Sequence, residues 1–352
     1  MKVAAGVIGC GNISRFHFDG LEKAGVGVKW VCDLVGANSK PYAERFDARQ
    51  TKDWIQVVKD PEVNTIVITT LSAIHKSICL AAIEEGKAVI CEKTLAETAD
   101  DSLEIVKAAQ AKGTIFYTSY MKRFIPAVET AKRLLPEIGQ VISTHIRTHQ
   151  PWGDLWGGNP AEGFFHTPEN GLSMVKKSYG GGILHCGGSH ILDLVLFLVG
   201  RPSELYANVY MPEDRDYDLR ANVLMQTANG SVMLEALAHP LSRIGFLRDG
   251  WDERIEITGV QGRLEIYSSL WDNPENKASM LVHYDDRTGQ ATEYRFDPVS
   301  PFSRAVEFFA GNIAAEQQGE QSRVTGYEVD ELIESVLLSS CEKRIVKIDW
   351  RI

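Results

Sequence analysis

Short apolar runs alternate with amphipathic stretches through the first third of the chain. Val3–Ile8, Val28–Cys32, Thr65–Thr69, Ala88–Cys91 and Ile115–Thr118 are rich in β-branched residues and bounded by turn or charged residues. That is the pattern of strands buried on both faces. Between them, Ile13–Ala24, Pro41–Phe46, Trp54–Lys59, Ile74–Glu85 and Asp100–Lys112 carry helical periodicity. Several of these run into a glycine (Gly25, Gly86, Gly113), a common residue just past a helix terminus. Strand–helix alternation over about 120 residues predicts a doubly wound parallel sheet.

The pattern changes after Arg123. A helix, Pro126–Leu135, leads into the alternating run Gln140–His149, and the stretch Trp152–Tyr179 is rich in Gly, Pro, Trp and Phe with little periodicity. Long aromatic loops of this kind shape binding sites or subunit contacts. A helix, Ile183–Val199, precedes strand-like segments at Glu204–Met211, Leu219–Thr227, Ser231–Ala238, Arg254–Thr258, Arg263–Ser268, Met280–Tyr284 and Thr292–Phe296. Asn229-Gly230 and Thr288-Gly289 are hairpin signals. Two helices, Phe302–Gln317 and Val329–Glu342, end the pattern. The expected architecture is a doubly wound α/β domain over 1–122. An α+β domain over 123–352 follows, built on a large, mostly antiparallel open sheet with helices on one face.

Composition narrows the partners. A chain of 352 residues with 44% hydrophobic and 24% charged residues has the balance of a water-soluble globular protein. The formal net charge of −10, without a basic run, disfavours nucleic acid and anionic membranes. Val7-Ile8-Gly9-Cys10 has the form of a lipoprotein cleavage box, but the apolar stretch before it is too short for a signal sequence. The same residues read as a buried strand entering a glycine turn. Cys10, Cys32, Cys79, Cys91, Cys186 and Cys341 form no CxxC pair, which fits a reducing cytoplasm.

Gly9-Cys10-Gly11-Asn12-Ile13-Ser14 follows the first strand and opens the first helix. The first glycine permits a tight turn, the second lets the backbone approach a pyrophosphate, and the helix N-terminus supplies amide donors. Ser14 stands where a third small residue, Gly or Ala, is usual. Asp33 ends the second strand, placed to accept hydrogen bonds from ribose hydroxyls and to repel a 2′-phosphate. Leu34, Val35 and Gly36 bring no guanidinium, and the nearest following cation is Lys40. These features predict a Rossmann-type dinucleotide site favouring NAD over NADP.

Four motifs in order carry a resemblance to one family. Cys91-Glu92-Lys93-Thr94-Leu95 resembles the E-K-P motif of the Gfo/Idh/MocA oxidoreductases, and Thr69–His75 resembles their T-P-N-x-x-H stretch. Tyr120-Met121-Lys122-Arg123-Phe124 is similar to their F-N-R-R-F crossover. Gly180–Asp193 is similar to G-G-G-x-L-x-D-x-G-x-H-x-x-D. Thr94 replaces the motif's proline, Leu71-Ser72 replaces Pro-Asn, and Cys186 sits where many relatives have an aspartate that assists the catalytic histidine.

The resemblance implies roles. Lys93 and His190 are the catalytic candidates. Lys93 lies past a strand's C-terminal end, where a cation can stabilise a developing alkoxide. His190 is suited to act as the base. Gly9, Gly11, Asn12, Ile13, Asp33, Thr70, His75, Glu92 and Lys93 are the cofactor-binding set. Arg123, Trp152, Asp154, Tyr179, Cys186 and Asp193, with Trp156, are candidates for the wall of a pocket for a polyhydroxylated ring. Asp193, three residues after His190, is more suited to orienting a helix or loop than to chemistry.

Cys186 and His190 at i, i+4 could begin a zinc site, but no second cluster supplies further ligands, so no metal is expected. The reading is hydride transfer between a nicotinamide cofactor and a sugar, cyclitol or sugar-derived alcohol, in a homo-oligomer assembled through the C-terminal sheet. Three alternatives stay open: a non-catalytic nucleotide-binding sensor, a glycosidase or lyase using tightly bound NAD, and a zinc hydrolase.

Overall fold

The computed structural model describes residues 2–153, 155–156, 181–213, 215–270 and 277–352. The chain divides into two compact units. One is Met1–Met121 with Phe302–Glu331 and Ile352, the other Lys122–Pro301 with Leu332–Arg351.

The first unit begins with alternating elements: β1 (Ala4–Ile8), α1 (Ser14–Lys23), β2 (Gly27–Cys32), α2 (Gly36–Phe46), β3 (Arg49–Thr51), α3 (Trp54–Lys59), β4 (Thr65–Ile68), α4 (Ser72–Glu84), β5 (Ala88–Cys91), α5 (Ala99–Lys112) and β6 (Phe116–Thr118). The six strands form one parallel sheet in the order β3-β2-β1-β4-β5-β6. Every residue of β4 and β5 is buried, as the unbroken apolar runs require. β3 was invisible to periodicity because Arg-Gln-Thr is polar, three residues long and at the sheet edge. α2 starts five residues before Pro41, the expected start. Gln50 holds the early turn by donating to the Gly36 carbonyl (2.6 Å) and to Ser39 Oγ (2.7 Å). Pro41 therefore lies inside the helix and removes one ladder hydrogen bond.

The second unit contains α6 (Pro126–Leu134), β7 (Val141–Pro151), α7 (Ser189–Leu198), β8 (Pro202–Tyr210), β9 (Arg220–Thr227), β10 (Gly230–His239), β11 (Asp252–Gly259), β12 (Gly262–Ser268), β13 (Met280–Asp285) and β14 (Gln290–Arg295). Helices α8 (Pro301–Ala314) and α9 (Thr325–Glu342) and the short β15 (Val346–Lys347) complete the chain. The nine-stranded sheet runs β14-β13-β12-β11-β7-β10-β9-β8-β15. All its pairs are antiparallel except β7 with β10. Strand β11 alternates buried and half-buried positions along its length, the signature of a sheet covered on one face. α6 packs on β12 and β13, and α7 on β7.

The segment expected to close the second domain divides instead. Phe302 stacks on Phe16 at 4.8 Å, and a Cβ at Gly20 would lie 2.7 Å from Val306. Asp330 accepts from the Ala96 amide (3.1 Å) and from Ser102. These contacts tie Phe302–Glu331 into the first unit, through pairs more than 200 positions apart.

The helix expected over Ile183–Val199 opens on a π turn, Leu184–Gly188, before α7. Asp218 holds that opening: its carbonyl accepts from Ile183 N–H (3.0 Å) and its carboxyl from Leu184 N–H (2.9 Å). Gly182 passes so near that a Cβ would stand 2.2 Å from the Asp218 carbonyl oxygen. Burial pushes the Asp218 carboxyl up to about 6, against the Leu184 hydrogen bond, which favours the charged form.

A carboxyl raised on folding binds its proton more tightly folded than unfolded. It therefore adds stability below its unfolded value of 3.8, and that stability is lost as pH rises through about 6. Asp218→Asn keeps an acceptor for Leu184 without the charge. Urea denaturation from pH 4 to 7 should show wild type losing up to about 3 kcal/mol relative to this variant. Parallel profiles for the two proteins would refute the buried-acid assignment.

Candidate active site

The strands of the first sheet end in register. Ile8 pairs with Cys32 and with Ile68, Ile68 with Cys91, and Cys91 with Thr118. The next residues, Gly9, Asp33, Thr69 and Glu92, therefore stand along one carboxyl-terminal edge, where open α/β sheets take ligands.

The glycine turn occupies the centre of this edge. Gly9 has φ +94°, and a Cβ there would lie 2.7 Å from the Thr69 carbonyl oxygen, so only glycine fits. Thr69 Oγ1 donates to the Gly9 carbonyl at 2.6 Å. Gly11 is different, because a Cβ there meets no atom of the other described residues within 4 Å. Protein packing does not require glycine at that position, whereas close approach of a ligand to the backbone does. Asn12 is exposed and Ile13 half-buried. Ile13 caps α1 without a side-chain hydrogen bond, and the Ser14 and Phe16 amides donate to the Gly11 and Ile13 carbonyls at 3.1 and 3.2 Å. Ser14, where Gly or Ala is usual, is fully buried, and its hydroxyl bonds the Gly11 carbonyl at 2.6 Å.

Asp33 is half-buried. One carboxylate oxygen accepts from Cys10 N–H and the other from Val35 N–H, both at 2.8 Å, and Asn38 Nδ2 lies 3.4 Å away. Burial, then the Asp33 charge, push the Cys10 and Cys32 thiols up to about 12, which keeps them protonated. Leu34 and Val35, just beyond Asp33, are 78% and 56% exposed. Leu71 and Ile74, after β4, are also exposed.

His75, Thr70, Glu92 and Lys93 of the expected cofactor set also contact the protein's own groups. His75 is fully buried; Nε2 lies 3.1 Å from the Thr70 carbonyl, and Nδ1 lies 3.1 and 3.2 Å from those of Thr94 and Leu95. Burial holds its pKa down despite these carbonyls. The ring thus lies between the turn after β4, with half-buried Thr70, and the turn after Lys93, and its one neutral-state N–H donates to one of them. Glu92 is buried, with one oxygen 2.7 Å from His17 Nε2 and the other accepting the Lys93 amide at 3.1 Å. Burial would raise its carboxyl, but the His17 hydrogen bond and the His17 and Lys93 charges bring it below the usual range. Lys93 is half-buried, and the Lys93–Thr94 peptide bond is cis. His17 is absent from the sequence-derived set. Its one signal there is a polar residue on the buried stripe of an amphipathic helix.

In the second unit, Arg123 and Asp193 meet. The guanidinium forks onto the carboxylate, Nε at 3.0 and 2.9 Å and Nη2 at 2.6 Å, with Asp193 fully buried. This pair joins α7 to the turn before α6 and orients the helix that carries His190, which is 7% exposed. Cys186 is half-buried within the π turn. Trp152 is buried and donates to Gln150 Oε1 at 3.0 Å; Trp156 stacks on Tyr210 at 5.1 Å. Asp154 and Tyr179 lie outside the described residues. Among the described residues, no cluster of three or more His, Cys, Asp and Glu could hold a metal ion.

Family models match along most of the chain. Residues 3–120 match one described as oxidoreductase family, NAD-binding Rossmann fold, and residues 128–265 one described as the GFO/IDH/MocA C-terminal domain. The chain is 31% identical over 294 residues to levoglucosan dehydrogenase of Pseudarthrobacter phenanthrenivorans, covering 75% of this chain and 70% of that one. It is 33% identical over 310 residues to inositol 2-dehydrogenase 2 of Saccharopolyspora erythraea, covering 85% and 80%. Against inositol 2-dehydrogenase of Salmonella typhimurium, identity is 30%, and the match spans 42% of this chain and 46% of that protein. Among solved structures, levoglucosan dehydrogenase in complex with NADH and levoglucosan shares the fold at a TM-score of 0.81 and 21% identity, covering 99% of this chain and all of that one.

The open space at Gly11 generates a prediction. Gly11→Val should melt as wild type does, because no protein atom is displaced, while NADH affinity falls at least about tenfold, or about 1.4 kcal/mol. Fluorescence titration with NADH beside a circular-dichroism melt measures both. Wild-type affinity in the variant would place the ligand elsewhere.

Proposed function

Since the chain belongs to the Gfo/Idh/MocA oxidoreductase family, we propose that it transfers a hydride between NAD and a sugar, cyclitol or sugar-derived alcohol. The observation that carries this reading is the shared sheet edge: the glycine turn after β1 and Lys93 after β5 end strands paired in register through β4. When bound, the nicotinamide supplies the hydride acceptor. Lys93 holds the substrate oxygen and stabilises the negative charge that grows on it as hydride leaves. His190 takes the hydroxyl proton, and in the reverse direction returns it. Arg123 and Asp193 act by orienting the helix that bears His190.

Preference for NAD rests on Asp33. Its charge favours ribose hydroxyls and repels a 2′-phosphate. The nearest following cation, Lys40, is 69% exposed and lies 3.9 Å from Glu44. Exposed Leu34 and Leu71, on the strand ends either side of β1, suit the faces of an adenine ring.

Self-association through the nine-stranded sheet is part of this proposal, supported by exposed Ile142, Tyr206, Leu224 and Met233 on its strands. A cytoplasmic location is supported by the lack of a disulfide among the described residues. Among those residues no helix is long and apolar enough to cross a membrane.

The test is a screen of polyols, with levoglucosan and inositol included, against NAD and NADP. kcat/KM should be higher with NAD, and equal or reversed values defeat that assignment. Lys93→Ala should lower kcat about 10²–10³-fold, and His190→Ala about 10²–10⁴-fold, with NADH binding retained. Full activity in Lys93→Ala sinks the mechanism. Absence of oxidation with every polyol favours the sensor, and turnover of a glycoside without net NADH favours transient oxidation by bound NAD.

A further inference from the structure

We propose that His17 and Glu92 are positioning residues for Lys93: the imidazole on α1 fixes the Glu92 carboxylate, and that carboxylate fixes the backbone from which the Lys93 side chain departs. This inference rests on the reading of Lys93 as the group that holds the substrate oxygen.

Glu92 is the first residue past β5, and its amide continues the ladder by donating to the Ile68 carbonyl at 2.8 Å. At Lys93 the ladder has ended, so its N–H needs another acceptor; Glu92 Oε2 supplies it at 3.1 Å. The other oxygen is taken by His17 Nε2 at 2.7 Å, from a ring that is fully buried. Among the described residues His17 Nδ1 has no hydrogen-bond partner, so placing the ring's proton on Nε2 directs its one neutral-state donor at Glu92. The ring also meets Phe302 edge-on at 6.1 Å between centroids, and Phe302 in turn stacks on Phe16. Glu92 is thus gripped at both oxygens, as a buried carboxylate must be if its burial is not to be costly.

Stability alone does not call for this arrangement. Replacing both members of a buried charged pair by apolar side chains of similar volume is often neutral or stabilising. What the carboxylate adds is a fixed direction for Lys93 and a negative charge held on the protein side of it. Without His17, Glu92 is free to turn onto the Lys93 ammonium and compete with the substrate oxygen for that charge.

The experiment compares His17→Ala, His17→Gln, Glu92→Gln and Lys93→Ala, using levoglucosan or inositol with and without deuterium at the reacting carbon. Misplacing a reacting group by about 1 Å costs about 10²-fold in rate. His17→Ala should therefore lose about that much kcat, show a larger deuterium effect on kcat, and keep NADH affinity. His17→Gln, which can donate from its own Nε2, should recover most of the loss. Independently of turnover, amide hydrogen exchange should quicken in the peptide around Lys93 in His17→Ala and Glu92→Gln, and not in the β4 strand.

A purely structural role predicts otherwise: a lower melting temperature, exchange quickened in β4 as well, and an unchanged kcat per NADH-binding site. That result overturns the proposal. Should His17→Ala fail to fold, Glu92→Gln retains the shape but offers one acceptor oxygen to the two donors that hold the carboxylate, and an unchanged kcat there overturns the proposal equally. Lys93→Ala separates the two levels. Full activity in that variant overturns the catalytic reading and this inference together, whereas a crippled Lys93→Ala beside an unimpaired Glu92→Gln overturns only the positioning.

Discussion

Parallel strands that stop in register at one sheet edge are the constraint on which the first unit depends. Cys32, Ile8, Ile68 and Cys91 are consecutive neighbours across four strands, each at its strand's last position. One residue beyond them the ladder gives out, and each turn must find its own partners. Glycine solves the problem at Gly9 by letting the chain pass against Thr69. Asp33 solves it by accepting two amides at 2.8 Å, and Glu92 by accepting that of Lys93. The groups that complete the backbone here are the ones that line the candidate site, so structure and chemistry share the same few side chains.

That sharing explains why several polar residues of the edge are buried. His75 and Glu92 have almost no exposed surface, and a buried polar group left unpaired costs about 1–3 kcal/mol. Each is surrounded by acceptors or donors of neighbouring turns, so the cost is met locally and the turns are locked to one another. Such residues tie the turns after β4 and β5 to their neighbours.

The second unit handles its own candidate base in the same manner. Asp218 holds the opening of the π turn and the bidentate Arg123–Asp193 pair holds α7, the helix of His190. A guanidinium fork on a buried carboxylate sets orientation as well as distance. The π turn places Cys186 on a widened backbone segment just before the helix that carries His190.

Burial and turn chemistry are local properties, and they were legible in the order of the residues. The unbroken apolar runs of β4 and β5, the Gly9–Ser14 turn, Asp33 at the end of β2 and the four motifs through Asp193 each reveal themselves within a few positions. What periodicity does not carry is which distant side chain answers which. The polar edge strand β3, the parallel pairing of β7 with β10, and the return of Phe302–Glu331 to the first unit depend on contacts between remote segments. So does the use of His75 as a brace and of Arg123 as the partner of Asp193. His17 and Glu92 stand 75 positions apart and meet at 2.7 Å. A hydrophobic pattern marks both neighbourhoods as buried, but a hydrogen bond needs two atoms within about 3 Å in the right direction, and only the folded chain decides that.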